Sequence, residues 1–155
     1  MTATADLCDE RGEELDCPSI PMRSFGAHPA FDGPVRTVRC FEDNSLVREV
    51  LAEPGGGAVL VIDGGGSLAA ALVGDNLAGL AVDNGWSGIV VHGAIRDVAA
   101  VDGLPIGVKA LGTSPRKGPE AGAGEVDVPV TFGGATFVPG AHLWSDADGI
   151  VVERH

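Results

Sequence analysis

The sequence has few aromatic residues and few cysteines, and both shortages narrow what the protein can be. None of its 155 residues is tyrosine, and aromatic residues make up only 5% of the chain. The core must therefore be built from Val, Leu, Ile and Ala, and the 45% hydrophobic content is enough for a globular protein. The three cysteines, Cys8, Cys17 and Cys40, are odd in number and lack C-x-x-C spacing. We therefore expect neither a disulfide framework nor a zinc site, and we expect a reducing, cytoplasmic compartment.

Basic residues and long apolar runs are also scarce. The chain has 10 Lys and Arg against 22 Asp and Glu, which gives a net charge of −12. Such a surface repels phosphate backbones, so direct nucleic-acid binding is not expected, whereas a basic protein partner stays open. No apolar run reaches the ~18 residues of a membrane span, and the acidic N-terminal segment lacks the basic and apolar regions of a signal peptide. The sequence predicts no membrane partner.

Glycine is abundant, at 24 residues, which is roughly double its usual share of about 7%. Glycines, prolines and asparagines divide the first two-thirds of the chain into an α/β pattern. The predicted helices lie at 4–12, 45–51, 68–73, 77–84 and 98–101. The predicted strands lie at 35–41, 58–62, 87–91 and 106–111. The proline-rich segment 16–34 is predicted to be a surface loop.

The last third of the chain favours antiparallel strands. After a loop at 114–124, apolar and polar residues alternate, and Gly133-Gly134 is typical of a hairpin turn. Further short strands are expected at 136–138, 142–144 and 150–152. No linker separates the two parts, so a single domain, 1–155, is predicted.

The stretch from Val73 to Asp97 contains the best candidate for a functional site. Gly74-Asp75-Asn76 is typical of a helix start, because Asp and Asn side-chain oxygens can accept hydrogen bonds from first-turn amides. An apolar strand follows that helix, and Arg96-Asp97 comes soon after its end. In open α/β sheets, ligands bind outside the carboxyl ends of the strands, which is where this charged pair is expected.

The residue types at this site favour binding of a carboxylate and a cation. Arg96 presents a planar fork that can bind a carboxylate through two hydrogen bonds. Asp97 can hold a divalent cation such as Mg²⁺, with water molecules completing the octahedron. The helix start at Gly74, Asp75, Asn76 and Leu77 can receive an anion through its amides, and Asp75 could activate a water molecule. Locally, ordinary helix caps and a solvated arginine explain these residues as well or better.

Two weaker patterns lie nearby. Gly64, Gly66 and Ala69 fit G-x-G-x-x-A, the outline of a dinucleotide-binding turn, but Asp83 falls in a helix instead of ending a second strand. A glycine-rich chain produces such spacing by chance. His92 follows the central strand, where a structural histidine is favoured over a catalytic base. No partner can be identified for the remaining histidines, His28, His142 and His155.

The stretch GDNLAGLAVDNGWSGIVVHGAIRDV resembles the signature of the RraA-like family, the regulators of ribonuclease activity. That family includes the class II 4-hydroxy-4-methyl-2-oxoglutarate aldolases. Asp75 and the Arg96-Asp97 pair match the family's spaced Asp–Arg–Asp pattern. The segments 84–88 (NGWSG) and 4–9 (TADLCD) match it as well, so the resemblance spans nearly the whole chain.

The resemblance implies a single-domain α/β/β/α sandwich with a central β-barrel-like core, assembled as a ring-shaped homotrimer. It also implies a metal-dependent site between subunits, with Asp97 as the metal ligand. Arg96 would bind the carboxylate of a 2-oxo acid, Gly74 to Leu77 would contact the substrate, and Asp75 would position the catalytic water.

The first functional reading is therefore a magnesium-dependent lyase. It would cleave 4-hydroxy-4-methyl-2-oxoglutarate and decarboxylate oxaloacetate, in both cases through a pyruvate enolate. Aldolase members often carry another acidic residue three positions after the paired Asp, where this chain has Ala100. The competing reading is a non-catalytic inhibitor of ribonuclease E that uses the acidic surface to bind a basic partner. Some relatives have been named methyltransferases, and that activity is the third and least favoured hypothesis.

Overall fold

Short apolar segments of this chain form one large mixed sheet that carries four short helices. The computed structural model describes residues 1–155. The helices are α1 (Thr4–Arg11), α2 (Ser45–Leu51), α3 (Asp75–Asp83) and α4 (Val98–Val101), and a 3-10 turn spans Gly12–Glu14. The strands are β1 (Leu15–Asp16), β2 (Arg23–Phe25), β3 (Phe31–Arg39), β4 (Val59–Asp63), β5 (Ala71–Val73), β6 (Gly88–Ile95), β7 (Gly107–Thr113), β8 (Glu125–Val126), β9 (Val130–Phe132), β10 (Ala135–Phe137), β11 (His142–Asp146) and β12 (Gly149–Glu153).

The sheet has a parallel centre and antiparallel margins. Its strand order is β1-β12-β11-β3-β4-β6-β7-β2, with β5 beside β6 and β8 beside β3. Strands β3, β4, β6 and β7 run parallel, whereas β2, β11 and β12 join antiparallel. Strands β9 and β10 form a separate hairpin that turns at Gly133-Gly134, as predicted. The α/β class is confirmed, and the antiparallel last third extends the same sheet through β11.

Apolar side chains on both faces of the central strands build two cores. On β4, Leu60 and Ile62 belong to a cluster of 22 buried residues, which also receives apolar side chains from α2 and α3. Val59 and Val61 point the other way, into a cluster of 13 residues shared with β9, β10, β11 and β12. Burial on both faces explains why the sequence of β4 is continuously apolar and not alternating.

The sheet curls, so that strands far apart in its order come into contact. Lys109 on β7 is only 3% exposed, and its ammonium group donates to the carbonyl oxygen of Asp146 on β11 at 2.7 Å. It also donates to the hydroxyl of Ser24 on β2 at 2.8 Å. Burial lowers the pKa of Lys109. This curvature is compatible with the barrel-like core that the resemblance implies.

The prediction of a surface loop over 16–34 was wrong in part. Strand β2 lies inside it and pairs with β7, and β3 begins at Phe31. Short strands of this kind are held by pairing with a neighbour that is distant in sequence. The sequence did not predict these strands, because the prolines of the segment are typical of loops.

The prediction of a helix over 68–73 was also wrong. Residues 71–73 form β5, which pairs in parallel with the last residues of β6. The alanines favour a helix locally, but six residues are too few to form a stable one alone, and the sheet edge provides hydrogen bonds and burial instead. The central strand accordingly runs on to Ile95, four residues past the end of the strand predicted over 87–91.

None of the helices is long and apolar enough to cross a membrane.

Paired glycines on β6 and β7 provide a test of the packing. Gly88 and Gly107 lie side by side under the ring of Phe31, and a Cβ at position 88 would lie 2.2 Å from that ring. We expect Gly88→Ala to lower the free energy of unfolding by about 1–3 kcal/mol, because the ring must move out of a packed site. The measurement is thermal or urea unfolding.

The matched control is Gly79→Ala, since a Cβ there meets no heavy atom within 4 Å. In a helix this change should be neutral or raise stability by up to about 1 kcal/mol. Equal stability of the Gly88→Ala variant and the wild type would contradict the packing described.

Candidate active site

The parallel pairing of β5 with β6 brings two segments that are distant in sequence to one edge of the sheet. The chain leaves β5 at Val73 and enters Gly74-Asp75, and it leaves β6 at Ile95 and enters Arg96-Asp97. The amide of Arg96 donates to the carbonyl oxygen of Val73 at 2.9 Å, which continues the pairing beyond the strand. The structure therefore brings together the two segments that the sequence singled out.

Asp97 precedes α4 in the chain, but its side chain reaches the start of α3. One of its carboxylate oxygens accepts a hydrogen bond from the amide of Asp75 at 3.3 Å. Neither Gly74 at the N-cap of α3 nor Asp97 at the N-cap of α4 caps its own helix through a side chain. The prediction that residues 74–76 cap α3 with their own side chains was therefore wrong, because the oxygen comes from Asp97. The positive end of the α3 dipole attracts that carboxylate.

Two backbone features hold Asp97 in this place. The residue has φ 57° and ψ 41°, the left-handed region that Asp and Asn tolerate better than most residues. Gly74 leaves room for the carboxylate, since a Cβ on it would lie 2.6 Å from the Asp97 oxygen. A larger residue at position 74 would displace the Asp97 carboxylate from the start of α3.

The guanidinium group of Arg96 is not engaged in a close ion pair. Its Nε lies 3.9 Å from the Asp97 carboxylate, and one terminal nitrogen donates to the Pro115 carbonyl oxygen at a long 3.5 Å. By contrast, Arg36 binds Asp127 through two hydrogen bonds, at 3.2 and 2.9 Å. The Arg96 side chain is 38% exposed. Its fork is therefore available to an external carboxylate.

A cavity of about 150 Å³ joins these groups. Of its charged residues, three are cationic and three are acidic: Arg48, Arg96, Lys117, Asp75, Asp97 and Glu120. The other lining residues are Asn44, Ala71, Gly74, Asn76 and Leu77. Three of the ten basic residues of an acidic chain thus line one small cavity.

Sequence reasoning missed Arg48, Lys117 and Glu120. Glu120 lies between the two cations, 3.5 Å from Arg48 and 3.9 Å from Lys117. The signal that could have identified Lys117 is the basic pair Arg116-Lys117, which is unusual in a chain this acidic. Nothing local indicated Arg48, because an exposed arginine on a helix is ordinary.

The loop at 114–124 forms one wall of the cavity, and the buried carboxylate of Asp43 anchors it. The carboxylate accepts hydrogen bonds from the amides of Ala121 and Ala123, at 2.8 and 3.3 Å. It also accepts from the hydroxyl and amide of Ser45, at 2.7 and 2.9 Å. The Ser45 hydroxyl contributes most to lowering the pKa of Asp43 to about 2, so the anchor is charged at neutral pH.

The glycine-rich turn after β4 is not built to hold a phosphate. The amides of Gly64 and Gly66 both donate to the carbonyl oxygen of His92, at 3.0 and 3.1 Å. The turn leads into β5, whereas a dinucleotide-binding turn opens a helix. These amides are already used, and the G-x-G-x-x-A match is a chance spacing.

The structural interpretation of His92 is supported by its contacts. Its Nδ1 lies 3.1 Å from the carboxylate of Asp63, and its ring stacks on Phe132 at 4.5 Å. His92 is not among the residues that line the cavity. His142 also has a partner that the sequence did not reveal, the carboxylate of Asp32 at 2.7 Å.

The residues of the cavity suit a hydrated cation better than one enclosed by protein ligands. No cluster of three or more His, Cys, Asp and Glu side chains is placed to hold a metal ion. Mg²⁺ usually keeps several waters and takes only one or two carboxylates from the protein. The Asp97 side chain, 42% exposed, meets that requirement.

Solved structures of high similarity carry different functional names. A structure named S-adenosylmethionine:2-dimethylmenaquinone methyltransferase, from Geobacillus kaustophilus HTA426, is 48% identical with a TM-score of 0.96, covering 98% of this chain and 94% of its own. The RNA-processing inhibitor RraA from Thermus thermophilis is 47% identical with a TM-score of 0.95, covering 99% and 93%.

A third structure is more distant. It is RraAS2 of Streptomyces coelicolor, called an unusual member of the RNase ES inhibitor RraA protein family. It is 31% identical with a TM-score of 0.81, covering 97% of this chain and 79% of its own. The names of the three differ, so similarity alone does not select one activity.

The family itself is clear. A family model described as RraA-like, Aldolase/RraA, matches residues 4–152. The match includes the Asp75, Arg96 and Asp97 positions from which the resemblance was drawn. This chain belongs to the RraA-like family.

Proposed function

We propose that the protein is a divalent-metal-dependent lyase that breaks a carbon–carbon bond of 2-oxo acids. One observation carries the proposal: the open fork of Arg96, the carboxylate of Asp97 and the start of α3 face one cavity. A carboxylate-bearing substrate and a cation are the ligands that this set of groups would bind together.

Arg96 and the first turn of α3 would bind and orient the substrate. The amide of Asp75 is used by Asp97 and that of Ala78 by the Gly74 carbonyl oxygen, which leaves the amides of Asn76 and Leu77 without a protein acceptor. Two free amides and a guanidinium group can fix a planar carboxylate in one orientation.

Asp97 would hold the cation, which we propose to be Mg²⁺, directly or through water. The bound cation would polarise the keto oxygen and stabilise the negative charge that develops there. Arg48 and Lys117 line the same cavity, and its six charged side chains sum to zero in a chain of net charge −12. With the cation bound, this cavity would therefore repel an anionic substrate less than the rest of the surface does.

The two reactions of the proposal differ in what they ask of Asp75. In oxaloacetate decarboxylation, the bond to the departing carboxylate breaks, its electron pair forms the pyruvate enolate, and CO₂ leaves without proton removal. In cleavage of 4-hydroxy-4-methyl-2-oxoglutarate, the hydroxyl must first lose its proton, and the bond then breaks to give pyruvate and its enolate. Asp75 would accept that proton through a water molecule. In both reactions, protonation of the enolate then completes the turnover.

Ala100 bears on which reaction is faster. It is exposed on α4, three residues after Asp97, and supplies no carboxylate where aldolase members often have one. We therefore expect decarboxylation to exceed aldol cleavage. The proposal also includes a homotrimer in which the cavity lies at the boundary between subunits, as the resemblance implies.

A second candidate function is inhibition of a ribonuclease. It is favoured by the 47% identity to a structure named RNA-processing inhibitor and by the charge of −12, which suits a basic partner surface. Ribonuclease inhibition by the wild-type chain that is independent of metal, with no turnover of 2-oxo acids, would favour this candidate.

Replacing Asp97 by Asn tests the role of its charge with little change to the fold. Asn tolerates the left-handed backbone and can still accept the hydrogen bond from the Asp75 amide, but it lacks the charge that holds a cation. We expect Asp97→Asn to reduce Mg²⁺-dependent decarboxylation by about 10²–10³-fold with a nearly unchanged melting temperature. Asp97→Ala should lose activity and also some stability.

The control is Asp83→Asn at the far end of α3, where Asp83 is exposed. This variant should keep full activity. If Asp97→Asn retained wild-type turnover per folded molecule, the lyase proposal would fail.

Asp75 and Arg96 should separate the two reactions. Asp75→Asn removes the proton acceptor, so we expect it to slow aldol cleavage by about 10²–10⁴-fold and decarboxylation far less. Arg96→Lys keeps the charge but loses the fork, so it should raise KM in both reactions by roughly tenfold. Steady-state kinetics with both substrates measures the split.

Arg39→Lys, in an exposed ion pair with Glu125, is the matched control for the second change. Equal losses in both reactions for Asp75→Asn would argue against Asp75 as the base.

A further inference from the structure

Two of the three cysteines are in contact at the surface. In sequence, both are distant from the residues of the candidate active site. The sulfur atoms of Cys8 and Cys17 are 3.5 Å apart. Cys8 belongs to α1, and Cys17 directly follows β1. Cys17 is exposed and Cys8 is half-buried, whereas Cys40 is buried.

The helix that carries Cys8 is fixed to the sheet on one side of the pair. The amide and hydroxyl of Thr4 donate to the two carboxylate oxygens of Asp146 on β11, at 2.8 and 2.7 Å. Leu7, next to Cys8, is only 6% exposed. At the other end of α1, Arg11 pairs with Glu153 on β12 at 3.1 Å.

The segment that carries Cys17 is fixed on the other side. Asp16 pairs in register with Val152 on β12, and its carboxylate accepts from the amide of Thr136 at 3.3 Å. Two residues after Cys17, the amide of Ser19 donates to the Gly133 carbonyl oxygen at 2.7 Å. Anchors on both elements therefore hold the two thiols together in the folded chain.

We propose that Cys8 and Cys17 are a site of reversible oxidation, forming an intramolecular disulfide with a hydroperoxide as the oxidant. One thiolate attacks the peroxide oxygen and becomes a sulfenic acid as the O–O bond breaks and water, or an alcohol, leaves. The second thiolate attacks that sulfur, the S–O bond breaks, and water leaves. The two thiols are oxidised to one disulfide, and the peroxide is reduced. Closure requires the sulfurs to approach by about 1.5 Å, from the observed 3.5 Å to the length of an S–S bond.

The surroundings of the three thiols set which of them react and how readily. Partial burial of its thiol and the neighbouring Cys8 thiol raise the pKa of Cys17 to about 11, although the residue as a whole is exposed. Cys17 is therefore largely protonated at neutral pH, and oxidation should be slow enough to need excess peroxide. Burial raises the pKa of Cys40 to about 12, so we expect this third thiol not to be oxidised.

Tryptic digestion separates the three thiols, because Arg11 lies between Cys8 and Cys17. The cysteines fall in the peptides 1–11, 12–23 and 40–48. The full-length protein is treated with hydrogen peroxide, alkylated under denaturing conditions, digested without reductant and analysed by mass spectrometry. We expect peptides 1–11 and 12–23 to be joined and to separate on reduction, and Cys40 to be alkylated.

The disulfide should also stabilise the fold, because it closes a short loop between α1 and β1. We expect oxidation to raise the melting temperature by roughly 5 °C, reversed by dithiothreitol. Cys40→Ala should keep the shift, and Cys17→Ser should abolish it.

Separate alkylation of Cys8 and Cys17 after peroxide treatment would overturn the proposal. So would sulfinic or sulfonic acid at Cys17 without cross-linking, or disulfides only between molecules. Since the mass measurement uses the wild-type protein, the result does not depend on a variant that fails to fold.

Discussion

The parallel pairing of β5 with the end of β6 is the constraint on which the site depends. It places the residues after Val73 beside the residues after Ile95, although the whole of α3 lies between them in sequence. The approach is close enough that a Cβ on Gly74 would lie 2.6 Å from the Asp97 carboxylate. The start of α3, the Arg96 fork and the Asp97 carboxylate then share one cavity without any of them leaving its own element.

The electrostatics of the chain give this cavity its character. Most arginines here are taken up by neighbouring carboxylates, as Arg36 is by Asp127 and Arg39 by Glu125. Arg96 lies beside the Asp97 carboxylate, but its Nε is 3.9 Å from that carboxylate. The amide of Asp75 lies closer, at 3.3 Å, and donates a hydrogen bond to it. A cation and a carboxylate held near each other but not neutralised by direct contact are suited to bind ligands of both signs.

Much of this could be predicted from the sequence, because the relevant signals are local. The apolar run at 58–62 predicted β4, and the helix predicted over 77–84 corresponds to α3. Arg96-Asp97, a few residues after the strand predicted over 87–91, indicated the candidate site, and the spaced Asp75, Arg96 and Asp97 indicated the family.

What could not be predicted depends on contacts between distant residues. The alanines before Val73 favour a helix, but they pair as a strand with the last residues of β6, beyond the point where β4 ends. Lys117 reaches the cavity because Asp43 holds its loop through amides more than seventy residues away. Asp97 was expected to cap its own helix, but it accepts a hydrogen bond from α3, a helix that precedes it in the chain. Local patterns identify the residues of the site, whereas sheet pairing determines which of them meet.

The most direct test is oxaloacetate decarboxylation by the wild-type protein after its metal ions have been removed by chelation and Mg²⁺ has been restored. The account predicts pyruvate formation above the rate of Mg²⁺ alone, lost on chelation and recovered on addition of Mg²⁺. Turnover that is unaffected by chelation, or no turnover above that of free Mg²⁺, would contradict it.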